Sequence, residues 1–278
     1  MFADVTLAVR LERAEARLSA DIAEAILRGG REPACFVEPI GGGVAVFGGQ
    51  GSPVNKVIGL GFGGAVQPER LEAVEGLFAA RRSPVQAEVA TLADPTLHAT
   101  LGARGYRLAG FENVLGRALV DPLPDVDDAV TITTCGPDDA AHWLEAVVAG
   151  FEHPDDVPAA ATGQEFARTT IERVFGDLAS VPGFRRYLAR VGGTVAGGAS
   201  MRVFDGVAQL CGAATLPAFR RRGVQTALLT WRLRDARHAG CDVAVITTAP
   251  GSRSQQNAQR RGFSLLYARA LHVLAPAR

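Results

Sequence analysis

Apolar residues recur at helical spacing from Leu7 to Arg28, at Leu11, Ala14, Leu18, Ile22, Ala25 and Ile26, so one face of a helix is predicted there. Gly29-Gly30 supplies its stop. Short apolar runs at Ala34–Val37, Gly43–Phe47 and Lys56–Phe62, parted by glycine-rich turns, read as strands. A helix is expected from Pro68, a favoured first-turn residue, to about Ala80. A strand at Val85–Val89, a short helix near Pro95–Arg104 and a strand pair across Tyr106–Leu119 complete this half.

Val120–Asp128, rich in Pro and Asp, reads as a linker, and after it the order of elements begins again. A strand at Val130–Thr133 and a helix at Pro137–Phe151 are expected, then an irregular stretch at Glu152–Thr162 and a helix ending near Ala179. Strands follow at Phe184–Val191, Thr194–Val203 and Val207–Thr215, then a helix at Gly223–Ala239. The apolar run Cys241–Thr248 suits a strand buried on both faces. The halves are most alike at their ends. Val89 precedes Gly105, in Arg104-Gly105-Tyr106, by 16 residues, and Ile246 precedes Gly262, in Arg261-Gly262-Phe263, by the same 16. Duplication is the reading that unites this spacing with the repeated element order. The expected organisation is a first domain at 1–120, a linker at 121–129 and a second domain at 130–278.

Charge narrows the partners. Lys+Arg and Asp+Glu stand at 29 each, so no net field draws the chain to nucleic acid or an anionic membrane, and neither partner is expected. No apolar run approaches the ~20 residues needed to span a bilayer. The first residues carry neither a basic region nor a cleavage site, so no secretory leader is expected. Cys35, Cys135, Cys211 and Cys241 are far apart with no C-x-x-C pair, which speaks against a metal site or a disulfide framework. Reduced thiols in a cytoplasmic protein are the expectation.

Chemistry concentrates in Thr215-Leu216-Pro217-Ala218-Phe219-Arg220-Arg221-Arg222-Gly223-Val224-Gln225-Thr226. This segment passes from a strand through a Pro-containing turn into a helix. The first amides of a helix have no internal partner, and its dipole places about half a positive charge there. Gly223 lets a phosphate approach the backbone, and three consecutive arginines add attraction for a polyanion. Neither G-x-x-x-x-G-K-[ST] nor a strand-borne G-x-G-x-x-G is present.

Arg220-Arg221-Arg222-Gly223-Val224-Gln225-Thr226-Ala227-Leu228 resembles the acetyl-CoA-binding R-x-x-G-x-G/A loop of the GCN5-related N-acetyltransferase (GNAT) superfamily. One helix and one buried strand later, Ser254-Gln255-Gln256-Asn257, followed by Gly262-Phe263, is similar to that family's S-x-x-N…G-F motif. The resemblance covers roughly Val130–Leu274 and, through the repeat, makes Asp4–Leu119 a degenerate second copy. It implies an α/β (α+β) fold of two tandem GNAT-like domains, each a mixed, mostly antiparallel twisted sheet flanked by helices. It also implies acetyl-CoA as acyl donor, an amine of a small molecule or peptide as acceptor, and direct attack on the thioester. By the same resemblance, Arg221, Arg222, Gly223, Val224, Gln225 and Thr226 hold the pyrophosphate. Ala214, Thr215 and Leu216 would pair with the pantetheine arm, and Asn257 would bond it from the far side. Gln225 departs from the family's Gly or Ala and would crowd the loop.

The catalytic pair is less complete. Where the family often carries a glutamate stands Gln209, and where it carries an acidic tyrosine stands Ala258. Tyr267 is the nearest substitute acid, though a strand tyrosine with a surface hydroxyl is the competing reading. Glu152, His153 and Glu165 lie where the family shapes its acceptor pocket, with His153 the candidate base. The acidic residues Glu152, Asp155, Asp156, Glu165 and Glu172 would favour a cationic acceptor, or would simply form a solvated face. The first half has no R-x-x-G loop: Gly61-Phe62-Gly63-Gly64-Ala65-Val66-Gln67 lacks a base, so no CoA is expected there. Gln209 and Ala258 leave a non-catalytic acyl-CoA sensor or scaffold as the alternative, and a nucleotide-dependent enzyme as a third reading.

Overall fold

The structure is a computed structural model that describes residues 1–120, 123, 129–152 and 167–276, apart from the side chains of 151 and 152. Helix α1 (Val5–Arg28) is capped by the Asp4 carboxylate, which accepts from the Leu7 amide at 2.8 Å. Then come β1 (Phe36–Ile40), β2 (Gly43–Phe47), β3 (Lys56–Ile58), α2 (Pro68–Ala79), β4 (Val85–Ala90), α3 (Thr96–Ala103) and β5 (Arg107–Ala118). The second half brings β6 (Thr131–Thr134), α4 (Ala140–Glu152), α5 (Arg168–Leu178), β7 (Phe184–Val191), β8 (Thr194–Phe204) and β9 (Val207–Thr215). It ends with α6 (Val224–His238), β10 (Val243–Thr248), α7 (Arg253–Arg260) and β11 (Ser264–Leu274).

The strands form one sheet in the order β1-β2-β3-β4-β11-β5-β10-β9-β8-β7-β6. It is mixed and mostly antiparallel, with β3–β4 and β9–β10 the parallel pairs. The last strand of each half lies in the other half's territory. β5 pairs with β10, β11 pairs with β4, and the two exchanged strands pair with each other at the centre.

Two strand expectations are corrected. Tyr106–Leu119 is one 12-residue strand, β5, rather than a pair. β11 pairs along most of its length and β10 along Asn113–Ala118, and Gly116 gives the Leu266 side chain room, since a Cβ there would sit 2.5 Å from its Cδ1. The run from Lys56 stops at Ile58 because Gly59 and Gly61, at φ 77° and 82°, turn the chain.

Side-chain alternation assigns the helices to faces. On β8, Arg202 meets Asp21 of α1, and a Cβ on Gly198 would touch Trp143 of α4. Ala199 and Met201 point the other way and pack with Val224, Ala227 and Leu228 of α6. Leu18 and Ile22 of α1 share a cluster with Trp143 and Phe175, so α1, α4 and α5 cover one face. Buried side chains run nearly around α1, which lies under both halves.

Candidate active site

β9 and β10 are paired only at Val243–Val207, Ala244–Ala208 and Val245–Gln209. Beyond Gln209 they part, leaving an open fork between the rest of β9 and Ile246–Thr248. Val243, Ala244, Val245 and the last residue, Thr248, are buried, whereas Ile246 and Thr247 between them are half-buried, so the strand expected to be covered on both faces is partly uncovered beyond its pairing with β9. A bulge in the β8–β9 register and Gly212 at φ 52° bend β9 away. The Leu216 amide donates to the Ala196 carbonyl at 3.0 Å, so Leu216 faces β8. Alternation then turns the Thr215 backbone towards the fork, while Ala214 packs against α4, where a Cβ on Gly150 would fall 2.1 Å from its own. Among the described residues the Thr215 hydroxyl is buried without a hydrogen-bond partner.

From Leu216 the chain makes a 3-10 turn at Pro217–Phe219 and enters α6 through Arg221 at φ 63° and Gly223 at φ 77°. The first amide bonded within the helix is that of Ala227, to Gly223 at 2.9 Å. Among the described residues the amides of Val224, Gln225 and Thr226 therefore stay open, with no side-chain cap. Arg221, Arg222 and Gly223 are exposed around them, and the Arg222 guanidinium lies over the Phe219 ring at 5.4 Å. Val224 anchors the turn through its buried side chain. The Gln225 side chain accepts from Asn257 Nδ2 at 2.7 Å, joining α6 to α7, and Arg261 donates to the Thr226 hydroxyl at 3.2 Å. Open amides, a left-handed glycine, two exposed arginines and an orphaned hydroxyl fit a diphosphate-bearing thioester.

The catalytic candidates are scattered. Tyr267 is on β11, separated from β10 by β5, and its hydroxyl is not at the surface: it donates to Glu12 at 2.8 Å, and burial raises its pKa above the usual value. Glu152 ends α4, and nothing is described of its side chain; His153, Asp155, Asp156 and Glu165 lie outside the described residues. Ala258 is buried against the core of α6. Gln209 donates to Glu15 Oε2 at 3.0 Å and accepts from Arg202 at 3.0 Å. Glu15 is a site residue that the sequence pattern does not reveal. It is on α1, 194 residues from Gln209, and no motif marks it.

Residues 152–263 match the model of the acetyltransferase (GNAT) family, and that stretch contains the fork, the arginine turn and α6. Over that stretch the second half of the chain is similar to a GNAT domain. Solved GNAT structures extend the likeness to the whole fold. A GCN5-related N-acetyltransferase from Kribbella flavida superposes with a TM-score of 0.65 at 18% identity, covering 95% of this chain and 96% of that one. One from Sphaerobacter thermophilus gives 0.58 at 16% identity, over 83% and 72%. A tandem GNAT protein from the clavulanic acid biosynthesis pathway gives 0.56 at 19% identity, over 88% and 85%. No curated protein matched the sequence. Among the described residues no helix is long and apolar enough to cross a membrane.

Proposed function

We propose that the protein is an acetyl-CoA-dependent N-acetyltransferase whose acceptor is an amine of a small molecule or peptide. The observation that carries this reading is the set of three open amides at Val224–Thr226 beside the fork of β9 and β10. Arg221, Arg222 and those amides would grip the diphosphate, and Thr215 and Leu216 would guide the pantetheine arm along the fork. Ala214 would shape its wall, and Asn257 would exchange Gln225 for the arm. Bound acetyl-CoA would supply the activated acyl group. Alignment of two held reactants can contribute ~7–11 kcal/mol to such a transfer, and a backbone amide in the fork would polarise the carbonyl. The amine must also lose a proton, which Gln209 cannot take.

Gln209 and the buried Ala258 favour one other reading, an acyl-CoA-binding sensor without turnover. Purified protein mixed with acetyl-CoA and a panel of primary amines decides between them by the rate of free-thiol release. The transferase reading expects amine-dependent release; tight CoA binding with no release from any amine supports the sensor.

A further inference from the structure

The centre of the sheet, on the face beneath α1, holds a charge imbalance. Here β3, β4, β11 and β5 bring Lys56, Glu88, Arg269 and Glu112 together, and α1 adds Glu12 and Glu15. Lys56 Nζ lies 2.8 Å from Glu88, Arg269 Nε donates to Glu12 at 2.8 Å, and Arg269 Nη1 is 3.8 Å from Glu112. Four carboxylates thus face two cations. The next cation along, Arg202, is engaged by Asp21 and also attracts Glu15, with Gln209 bonded to both Arg202 and Glu15. Glu12 and Glu88 are each 1% exposed; Arg269 and Tyr267 hold Oε1 of Glu12, and Lys56 and Gln86 hold Oε1 of Glu88, while among the described residues each Oε2 has no hydrogen-bond partner. A buried ion network that served packing alone would close its own hydrogen bonds, because an unmatched buried carboxylate is costly.

The cluster is neither sealed nor remote. The Glu112 side chain is 23% exposed. Glu15 bonds Gln209, the last residue of β9 paired to β10, so it stands at the base of the fork. On β5, Val114 pairs with Thr247 of β10, which places Glu112 two residues on and on the same face. α6 covers the opposite face. Burial and the neighbouring Glu88 push the Glu112 carboxyl up to about 7, against the pull of Lys56 and Arg269, with Glu15 adding to the rise; the described β10 residues, Val243–Thr248, carry no charge. Burial raises Glu12 as well.

We propose that this cluster binds the ammonium group of the acyl acceptor, with Glu15 and Glu112 as its direct partners and Glu12 and Glu88 as the negative field behind them. The inference rests on the acetyltransferase reading of the fork. A thioester held from the α6 face and an ammonium held from the α1 face meet across the gap between β9 and β10. Two unmatched carboxylates select a cation, and a dication before a monocation. A neutral isostere leaves both carboxylates without partners.

Calorimetric titration of the full chain with 1,6-diaminohexane and with 1,6-hexanediol, at pH 6 and pH 8, tests this. The diamine is expected to bind at least fivefold more tightly at pH 8, where Glu112 is ionised, and the diol not measurably. Glu112→Gln should give the same, weakened affinity at both pH values, and Glu15→Gln should weaken binding about tenfold at each. Equal binding of diol and diamine, or a Glu112→Gln protein with unaltered affinity and pH dependence, overturns the site. Circular dichroism establishes that both variants are folded; should Glu15→Gln fail to fold, the Glu112→Gln comparison decides. CoA is titrated separately into each protein, and its affinity should not change. A chain that takes the diamine but no CoA refutes the transferase reading and keeps the cation site; the reverse refutes the site and keeps the reading.

Discussion

Gly223 stands at φ 77°, a conformation that glycine adopts without strain and Asn or Asp tolerate better than other residues. That tolerance allows charge to be separated from shape. Gly223→Asn should weaken CoA binding about tenfold, through bulk alone. Gly223→Asp, nearly the same in size, should weaken it at least a hundredfold, because its carboxylate sits where the diphosphate is expected; calorimetry of the two variants measures the difference. Glu112 allows a second test at this scale. Its folded pKa, about 7, lies above the ordinary 4.5, so the native state holds a proton that the unfolded chain releases earlier. Stability from this group is full below 4.5 and falls as pH rises towards 7. Glu112→Gln should therefore leave the urea midpoint unchanged near pH 4 and raise it near pH 8. The residues of the arginine turn proposed to hold the diphosphate were legible in the sequence because they are consecutive and their conformation is local. Tyr267 was not: its spacing from Gly262-Phe263 is readable, but its hydroxyl's partner, Glu12, is 255 residues away.

Among the elements, the decisive pair is β5 and β11. Each half of the chain, taken alone, would leave an unpaired edge where the other's last strand belongs, at β4 in one and at β10 in the other. Segments 1–120 and 130–278 expressed separately should therefore be poorly soluble or lack near-ultraviolet dichroism, and co-expression should recover a soluble pair by gel filtration. Two well-folded, monomeric halves would count against the importance of the exchange. Helix and strand positions followed closely from periodicity, since α2 and β9 begin where their proline and apolar signals place them. The extent of β5 did not follow. Gly110 and Gly116 resemble turn signals; β11 pairs with both, across two register shifts, and β10 adds a second partner at Gly116, so the chain continues as one strand.

For the whole molecule, one sheet crosses both halves, and α1 with the turn that follows it is clamped at several points. Arg10 binds Asp242, Asp21 binds Arg202, and Arg31 binds Asp177, each partner lying in the second half. A single cooperative calorimetric transition is the expected consequence, and two resolved transitions would refute it. The amino-acid order by itself placed most of the helices and strands and marked the arginine turn that leads into α6, because these depend on neighbours within a few residues. Tertiary structure alone decided which strands exchange and which carboxylates gather at the fork. A strand's two edges look the same in sequence, and the partner it takes is settled by contacts hundreds of residues apart.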